Sequence, residues 1–228
     1  MQHNRARASV KDRRLDFDQA GQRAGRLLSN RLSATVLRLS DQREYIGQVV
    51  RLTVDFIEER GLGPKVREKL SPDTARVLAK PPWPFAWVPA APMDELESLV
   101  GALGGRQASV DLGLLAARKM GGTLMQPVIK MAMNFFGSSP ATVFGNLDRF
   151  YAMATRGWHF TYQPLSDKSG VVEARTDSQG VPAAIADVMR GNFSYVFELC
   201  GVEGEVGAPE VVRLDADGAQ VRFTMQWL

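Results

Sequence analysis

Apolar and polar residues alternate with a period of two in the C-terminal third of the chain, as in strands that bury one face. The alternation begins at Trp158, so Phe160 and Tyr162 are expected on its face of the strand and His159 on the opposite face. A stripe of apolar residues at helical spacing over 182–200 interrupts the alternation. The period-two segments cover residues 158–163, 171–177, 210–215 and 220–227.

This order of strand, strand, helix, strand and strand predicts an antiparallel sheet that carries a helix on one face. Ala216, Asp217 and Gly218 separate the last two strands and are typical of a hairpin turn. The predicted fold class is therefore α+β, with N-terminal helices and a helical middle region packed on a C-terminal antiparallel sheet.

Upstream of these strands, apolar residues recur every three to four positions, which indicates helices. Ser109 and Ser139 are expected to cap two of these helices, and Pro140 suits the first turn of the second one. The pair Gly104–Gly105 is expected to end an earlier helix. The predicted helices cover 23–39, 94–103, 109–120, 126–136 and a long segment from 139 that stops by 157.

Two further segments have mixed signals. Residues 45–51 are rich in β-branched side chains and contain Gly47, which favours a short strand before a helix that ends at Gly61. Residues 81–92, PPWPFAWVPAAP, contain five prolines, so neither a helix nor a central strand is expected there. The segment is predicted to be an ordered loop whose Trp83 and Trp87 cover the core. The alternative is a polyproline ligand for a partner protein.

Composition excludes several kinds of site. The chain has a single cysteine, Cys200, so it can form neither an intramolecular disulfide nor a zinc site of several cysteines. Cys200 ends an apolar helical stripe, and a helix C-terminus disfavours a thiolate, so core packing is expected. The N-terminus lacks the apolar run of a secretory signal, and no apolar run is long enough to cross a bilayer. A cytoplasmic protein with no membrane span is expected.

Charge is concentrated at the N-terminus. Residues 1–38 contain nine Lys or Arg and three Asp, a charge of +6, whereas the whole chain carries +3. We therefore expect a basic, partly helical extension over 1–44 and an α+β ligand-binding-like domain over 45–228. The extension could contact nucleic acid phosphates, an anionic membrane or an acidic protein, or simply be solvated. The nucleic-acid candidates are Arg5, Arg7, Lys11, Arg13 and Arg14.

The run IADVMRGNFSYVFELCGVEGEV, followed by a hairpin that ends in FTMQW, resembles a known ligand-binding fold. Haem-NO-binding domains, 4-vinyl-reductase domains and the small subunits of the TRAPP vesicle-tethering complex share that fold. The stretch from about Ile46 to Trp227 is most similar to an uncharacterised bacterial paralogue family of it. The shared features are IGQVV, WPFAWVPAAP, a long helix before the first hairpin and a terminal strand that closes on Trp227.

The chemistry of these relatives does not carry over. Haem-NO-binding domains use an axial histidine on a helix and a Tyr-x-Ser-x-Arg motif, and this chain has neither. His159 falls on a predicted strand, and the other histidine is His3. The 4-vinyl-reductase domains rely on several cysteines. What the resemblance implies is an apolar cavity or, as in TRAPP subunits, a dimer interface, with no cofactor and no metal.

Methionine and phenylalanine are dense between residues 120 and 144, where soft side chains suit either a core or an adaptable pocket. The predicted pocket lies between the helices and the C-terminal sheet. No phosphate-binding glycine loop, nucleophile elbow, His-Glu-x-x-His motif or acid pair is present, so no catalytic residue is assigned. The pocket candidates are Trp158, Phe160, Tyr162, Met131, Phe135, Met189 and Phe193.

The sequence thus predicts a non-enzymatic sensor or scaffold that binds a small apolar ligand or a protein partner, as a homodimer. The alternative is a nucleic-acid-binding or regulatory protein that uses its basic arm. An enzyme acting on a hydrophobic tetrapyrrole or lipid is a third reading, which rests on the 4-vinyl-reductase relatives alone.

Overall fold

The computed structural model of the chain describes residues 43–122, 126, 138–178, 181–215 and 217–228. The helices among them are α1 (Gly47–Glu59), α2 (Gly63–Arg67), α3 (Pro72–Ala79), α4 (Ala90–Gly122), α5 (Pro140–Gly145), α6 (Leu147–Tyr151) and α7 (Ala184–Cys200). The strands are β1 (Glu44–Ile46), β2 (Trp87–Pro89), β3 (Thr155–Arg156), β4 (His159–Ser166), β5 (Ser169–Thr176), β6 (Gly204–Val206), β7 (Glu210–Asp215) and β8 (Gly218–Trp227).

The C-terminal strands form one antiparallel sheet in the order β4-β5-β8-β6, and β7 also pairs with β8. The α+β prediction is confirmed, including the two hairpins and the helix between them. Strand β6 was not predicted, because its three residues are too few to show a period of two. A second, small sheet has the order β2-β1-β3 and also pairs antiparallel.

Helix α7 packs on the large sheet through a layer of aromatic side chains. Phe193 is fully buried, and its ring centroid lies 5.0 Å from that of Phe223 on β8 and 6.2 Å from that of Phe160 on β4. Phe144 from α5 joins the same layer, 6.5 Å from Phe193. The inward residues of β8 alternate with outward ones, as the sequence predicted, and are Ala219, Val221, Phe223, Met225 and Trp227.

Helices α4 and α7 cross with their backbones in direct contact. A Cβ atom added to Gly113 of α4 would overlap the carbonyl oxygen of Val188, and one added to Gly191 of α7 would overlap the carbonyl oxygen of Val110. Each glycine therefore faces the backbone of the other helix. The distance between two packed helices depends on the side chains at their contact. Because glycine has no side chain, α4 and α7 approach closely here.

The break predicted at Gly104–Gly105 is present, but α4 continues beyond it without a new cap. Gly105 adopts φ 76° and ψ 178°, which divides α4 into two helical segments. The sequence predicted that Ser109 is an N-cap, and this prediction is wrong. It lies within the second segment, buried, with its hydroxyl unpaired among the described residues.

The predicted strand over 45–51 is wrong beyond Ile46, because helix α1 begins at Gly47. The backbone N–H groups of Gly47 and Gln48 donate to the carbonyl oxygens of Ala86 (2.7 Å) and Pro84 (2.8 Å), so the proline-rich loop replaces a side-chain cap. A Cβ on Gly47 would overlap the carbonyl oxygen of Trp83. This close approach, rather than a strand, explains the glycine.

The proline-rich segment is ordered, but only part of it covers the core. The Trp83 side chain is 81% exposed, contrary to the prediction. Trp87 is half-buried and lies beneath the guanidinium of Arg156, 3.9 Å from its ring centroid. Trp87–Pro89 form an edge strand. Contrary to the prediction of no helix over 81–92, α4 begins at Ala90 with Pro92 in its first turn, where a missing N–H costs nothing.

The single long helix predicted from Ser139 is two short helices instead. Ser139 caps the first one, accepting a hydrogen bond from the N–H of Thr142 at 3.2 Å, as predicted. Asn146 separates the two, since its φ of −114° and ψ of 11° are not helical and its side chain bonds to the Thr142 carbonyl at 2.9 Å. Gly157 follows with φ 78°, where the strand region begins.

Some predictions concern residues outside the described part of the chain. These are the basic extension, apart from its last two residues, the helix over 23–39 and the helix over 126–136 apart from Gln126. The boundary between extension and domain therefore stays a prediction. Among the described helices, none combines the length and the apolarity that crossing a bilayer requires.

We expect the substitution Gly113→Ala to lower the free energy of unfolding of the full chain by more than about 2 kcal/mol, since the methyl group must push two helix backbones apart. Gly191→Ala should have the same effect. The matched control is Gly122→Ala, which has open space around the added methyl and should cost nothing. Chemical denaturation measures all three, and equal stabilities for the three variants would contradict the close contact.

Candidate functional site

A cavity of about 150 Å³ lies among the helices on the side of α7 that faces α4. Residues of α1, α4, α5, α6 and α7 line it, together with β1 and the segment around β3. No residue of the five-stranded sheet is among its described lining, so the cavity is not between helices and sheet as the sequence predicted. The aromatic layer around Phe193 separates the two.

The two faces of α7 explain this arrangement. Positions spaced by three and four residues face the cavity, and the neighbouring positions Phe193 and Phe197 face the sheet. A helix that is apolar over both faces is typical of a buried position. The cavity-lining residues of α7 are Ile185, Val188, Met189, Asn192, Tyr195, Val196 and Leu199.

Most of the cavity wall is apolar, but one carboxyl group belongs to it. Glu97 of α4 is 1% exposed, and its Oε2 atom has no hydrogen-bond partner among the described residues. Burial raises the pKa of Glu97 to about 8, and the nearby Asp94 adds to the rise, while Arg43 opposes it. Glu97 is therefore protonated and neutral at pH 7.

Two tyrosine hydroxyls in the same wall are also buried without a hydrogen-bond partner in the described chain. They belong to Tyr45 of β1 and Tyr151 of α6. Burial is the main cause that raises the pKa of each, and Glu97 is close enough to raise both further. Trp158 lies near the Tyr45 hydroxyl and lowers its pKa, and Asn192 lies near the Tyr151 hydroxyl and lowers its pKa by more than Glu97 raises it, but neither pair has hydrogen-bond geometry.

A buried ion pair lies beside these groups. The guanidinium of Arg43 binds both carboxylate oxygens of Asp94, with Nη1–Oδ1 at 3.0 Å and Nη2–Oδ2 at 2.5 Å. The Arg43 side chain is 2% exposed and its guanidinium carbon lies 5.6 Å from the centroid of the Trp158 ring. Both charges of the pair are thus neutralised by each other, which leaves Glu97 without a cation of its own.

The structure brings only some of the predicted pocket residues to the cavity. Trp158 and Met189 line it. Phe160 and Phe193 are buried in the aromatic layer instead, and Tyr162 is half-buried on β4 with its ring 5.9 Å from that of Phe144. Met131 and Phe135 lie outside the described residues, as do the nucleic-acid candidates Arg5, Arg7, Lys11, Arg13 and Arg14.

The polar residues of the wall were missed by sequence analysis. Glu97 lies in the predicted helix 94–103, where an acidic residue near the start reads as a favourable helix N-terminus. Met93, Leu96 and Val100 are buried, so Glu97 lies on the buried face of the helix. This could be recognised only once the structure was known. Tyr45 and Tyr151 resemble ordinary core tyrosines in the sequence.

His159 lies on the outer face of its strand, as the alternation predicted, and Cys200, expected in the core, is half-buried at the end of α7. The side chain of His159 is 67% exposed on the outer face of β4, and its Nδ1 lies 4.0 Å from the Asp148 carboxylate. Cys200 packs against the main core, where burial raises the pKa of its thiol to about 11. No group of three or more His, Cys, Asp or Glu residues that could hold a metal ion occurs within the described ranges.

Solved structures of H-NOX proteins share this fold. The Fe(II) unliganded H-NOX protein from K. algicida matches with a TM-score of 0.56 at 13% sequence identity, covering 80% of this chain and 96% of that one. A mutant of it matches with a TM-score of 0.58 at 12% identity and the same coverage. An oxygen-binding H-NOX domain related to soluble guanylate cyclases reaches 0.54 at 11% identity, over 79% and 94% of the two chains.

At these identities the similarity shows the fold alone. No family model matches the chain, and no curated protein matches it. The H-NOX-like α+β fold is therefore established, as the resemblance to haem-NO-binding domains implied.

Haem is the group studied in the H-NOX family, but the described wall of this cavity does not fit it. A cavity of about 150 Å³ holds a molecule the size of benzene, which is far smaller than a four-ring macrocycle. The lining residues in the described chain include no His or Cys to bind iron, and no Lys or Arg to pair with propionates. His159 is exposed on another surface.

The raised pKa of Glu97 predicts how the stability of the protein depends on pH. Between about pH 4.5 and pH 8 the folded state keeps a proton that the unfolded state releases, so the free energy of unfolding falls as pH rises through this window. We expect Glu97→Gln to remove a few kcal/mol of that fall, measured by denaturation at several pH values.

The control for this experiment is Glu68→Gln, an exposed carboxylate after α2, which should follow the wild-type curve. Curves for wild type and Glu97→Gln that run parallel from pH 4.5 to 9 would show that Glu97 is ionised in the folded protein.

Proposed function

We propose that the chain is a non-enzymatic sensor or scaffold module that binds a small, largely apolar molecule in the helical cavity, without haem. The observation that carries the proposal is the cavity itself, about 150 Å³ with a wall built mainly of aliphatic, methionine and aromatic side chains. A cavity of this size and polarity accommodates a single-ring molecule. The H-NOX-like fold supports the proposal, since an oxygen-binding H-NOX domain is among the structures that share it.

The site suits binding better than catalysis. The only titratable groups among the described lining residues are Glu97 and three tyrosines, Tyr45, Tyr151 and Tyr195. At pH 7 all four are neutral, and no described lining residue supplies a nucleophile paired with a base.

We also propose that the chain belongs to the bacterial paralogue family of this fold that its sequence resembles. We propose further that it acts in the cytoplasm as a homodimer, and that a protein partner recognises the ligand-bound form.

The proposal is tested by filling the cavity. Ala116 of α4 lines the cavity and is almost fully buried, so Ala116→Leu should place a branched side chain in it. We expect the wild-type chain to bind methylenecyclohexane, seen as a rise in Tm and as heat in titration calorimetry, and Ala116→Leu to lose at least tenfold in affinity.

The matched control is Ala102→Leu, an exposed position on the same helix, which should bind like wild type. Ala117→Leu fills the cavity from the adjacent lining position and serves if Ala116→Leu does not fold. Binding that is absent in wild type, or that is equal in the cavity-filling and control variants, would contradict the proposal.

A further inference from the structure

We infer that the cavity selects a neutral ligand that carries a hydrogen-bond acceptor, such as the carbonyl oxygen of a small cyclic ketone, and that Glu97, Tyr45 and Tyr151 form the polar end that recognises it. This inference rests on the proposed function, because it assigns a ligand class to the same cavity.

Three buried hydroxyl-bearing groups in one wall are costly unless something accepts their hydrogen bonds. An unpaired buried donor loses its bonds to water and gains none in return, which destabilises the fold. The Oε2 atom of Glu97 and the hydroxyls of Tyr45 and Tyr151 have no hydrogen-bond partner among the described residues. Such groups, when retained in a native protein, call for a water molecule or a ligand to satisfy them.

The three residues come from different elements, and each is held by packing that leaves its polar group at the wall. Tyr45 lies on β1, Glu97 on α4 and Tyr151 on α6. Tyr45 is 4% exposed within a cluster that includes Val50 and Met93, and Glu97 follows Met93 by one helical turn. Tyr151 packs with its ring centroid 4.2 Å from that of Phe160. Their meeting at one cavity is a property of the tertiary structure.

The charges around Glu97 favour a neutral ligand. Arg43 and Asp94 are the charged groups that act on Glu97, and they are bonded to each other. No Lys, Arg or His lines the described cavity, so an anionic ligand would lack a counter-charge. A cationic ligand would approach Arg43 and would need Glu97 to ionise in an apolar wall, which burial opposes.

A ligand acceptor satisfies the O–H groups of this wall, which the described residues leave without an acceptor. A protonated carboxyl and two phenols offer three O–H donors, and a carbonyl oxygen has two lone pairs that can accept from two of them. Burial raises the pKa of both tyrosines, so they remain donors across the neutral range. Without ligand, a water molecule can occupy this end of the cavity, because the wall offers it several polar partners.

The test compares cyclohexanone with methylenecyclohexane, in which a CH2 group replaces the carbonyl oxygen on the same ring. Affinities for the full chain come from titration calorimetry at pH 6.5. The measured quantity is the preference, the affinity for the ketone divided by that for the alkene. We expect Tyr45→Phe, Tyr151→Phe and Glu97→Leu each to lower the preference about threefold to tenfold, while the alkene binds as in wild type.

Two control variants separate recognition from general disturbance. Glu97→Gln keeps an N–H donor of nearly the same shape and should retain the wild-type preference. Tyr195→Phe changes a fourth lining tyrosine whose hydroxyl is not among the buried unpaired groups, and should also retain it.

The pH dependence gives a second readout. Above about pH 8 Glu97 loses its proton, becomes an acceptor and repels a carbonyl oxygen. The preference of wild type should therefore fall between pH 7 and pH 9, whereas that of Glu97→Gln should stay constant. Methylenecyclohexane affinity should not change with pH in either protein.

The outcomes distinguish this inference from the proposed function. If both probes bind and the preference is the same in wild type, Tyr45→Phe, Tyr151→Phe and Glu97→Leu, the polar end does not recognise the ligand, and only this inference is overturned. If neither probe binds to wild type, the proposed function is overturned and this inference with it. A preference that falls in the three variants and persists in Glu97→Gln supports both.

Discussion

Direct backbone contact between α4 and α7 is the constraint on which the rest of this structure depends. Gly113 faces the backbone of α7 at Val188, and Gly191 faces the backbone of α4 at Val110, so no side chain separates the helices there. Two helices this close cannot shift relative to each other without a backbone collision. The crossing therefore fixes where α7 presents its side chains, towards the sheet on one face and towards the cavity on the other.

The position of α7 determines the packing on its sheet side and on its cavity side. On the sheet side, Phe193 fills the space with an edge-to-face contact to Phe223, which leaves no room for a ligand. On the other side, residues of α4 and α7 line the cavity together with α1, α5, α6, β1 and the segment around β3. The cavity lies next to this helix crossing, and its polar end combines Glu97 of α4 with Tyr45 of β1 and Tyr151 of α6.

Several local features were predictable because a few adjacent residues determine them. Ser139 and Pro140 start a helix and Gly105 breaks one, as the sequence indicated. Local prediction failed where distant segments supply the partners. Gly47 begins a helix because the carbonyl groups of the proline-rich loop, some 40 residues away, accept its first hydrogen bonds.

By itself, the sequence determined the fold class, the strand hairpins and the orientation of His159, since period and turn residues act locally. The tertiary structure alone decided where the cavity lies and which polar groups line it. Glu97, Tyr45 and Tyr151 are separated by about 50 residues each along the chain. Their unpaired hydroxyl groups become a potential binding feature only when α4, α6 and β1 bury them together, because burial removes the water that would otherwise satisfy each one.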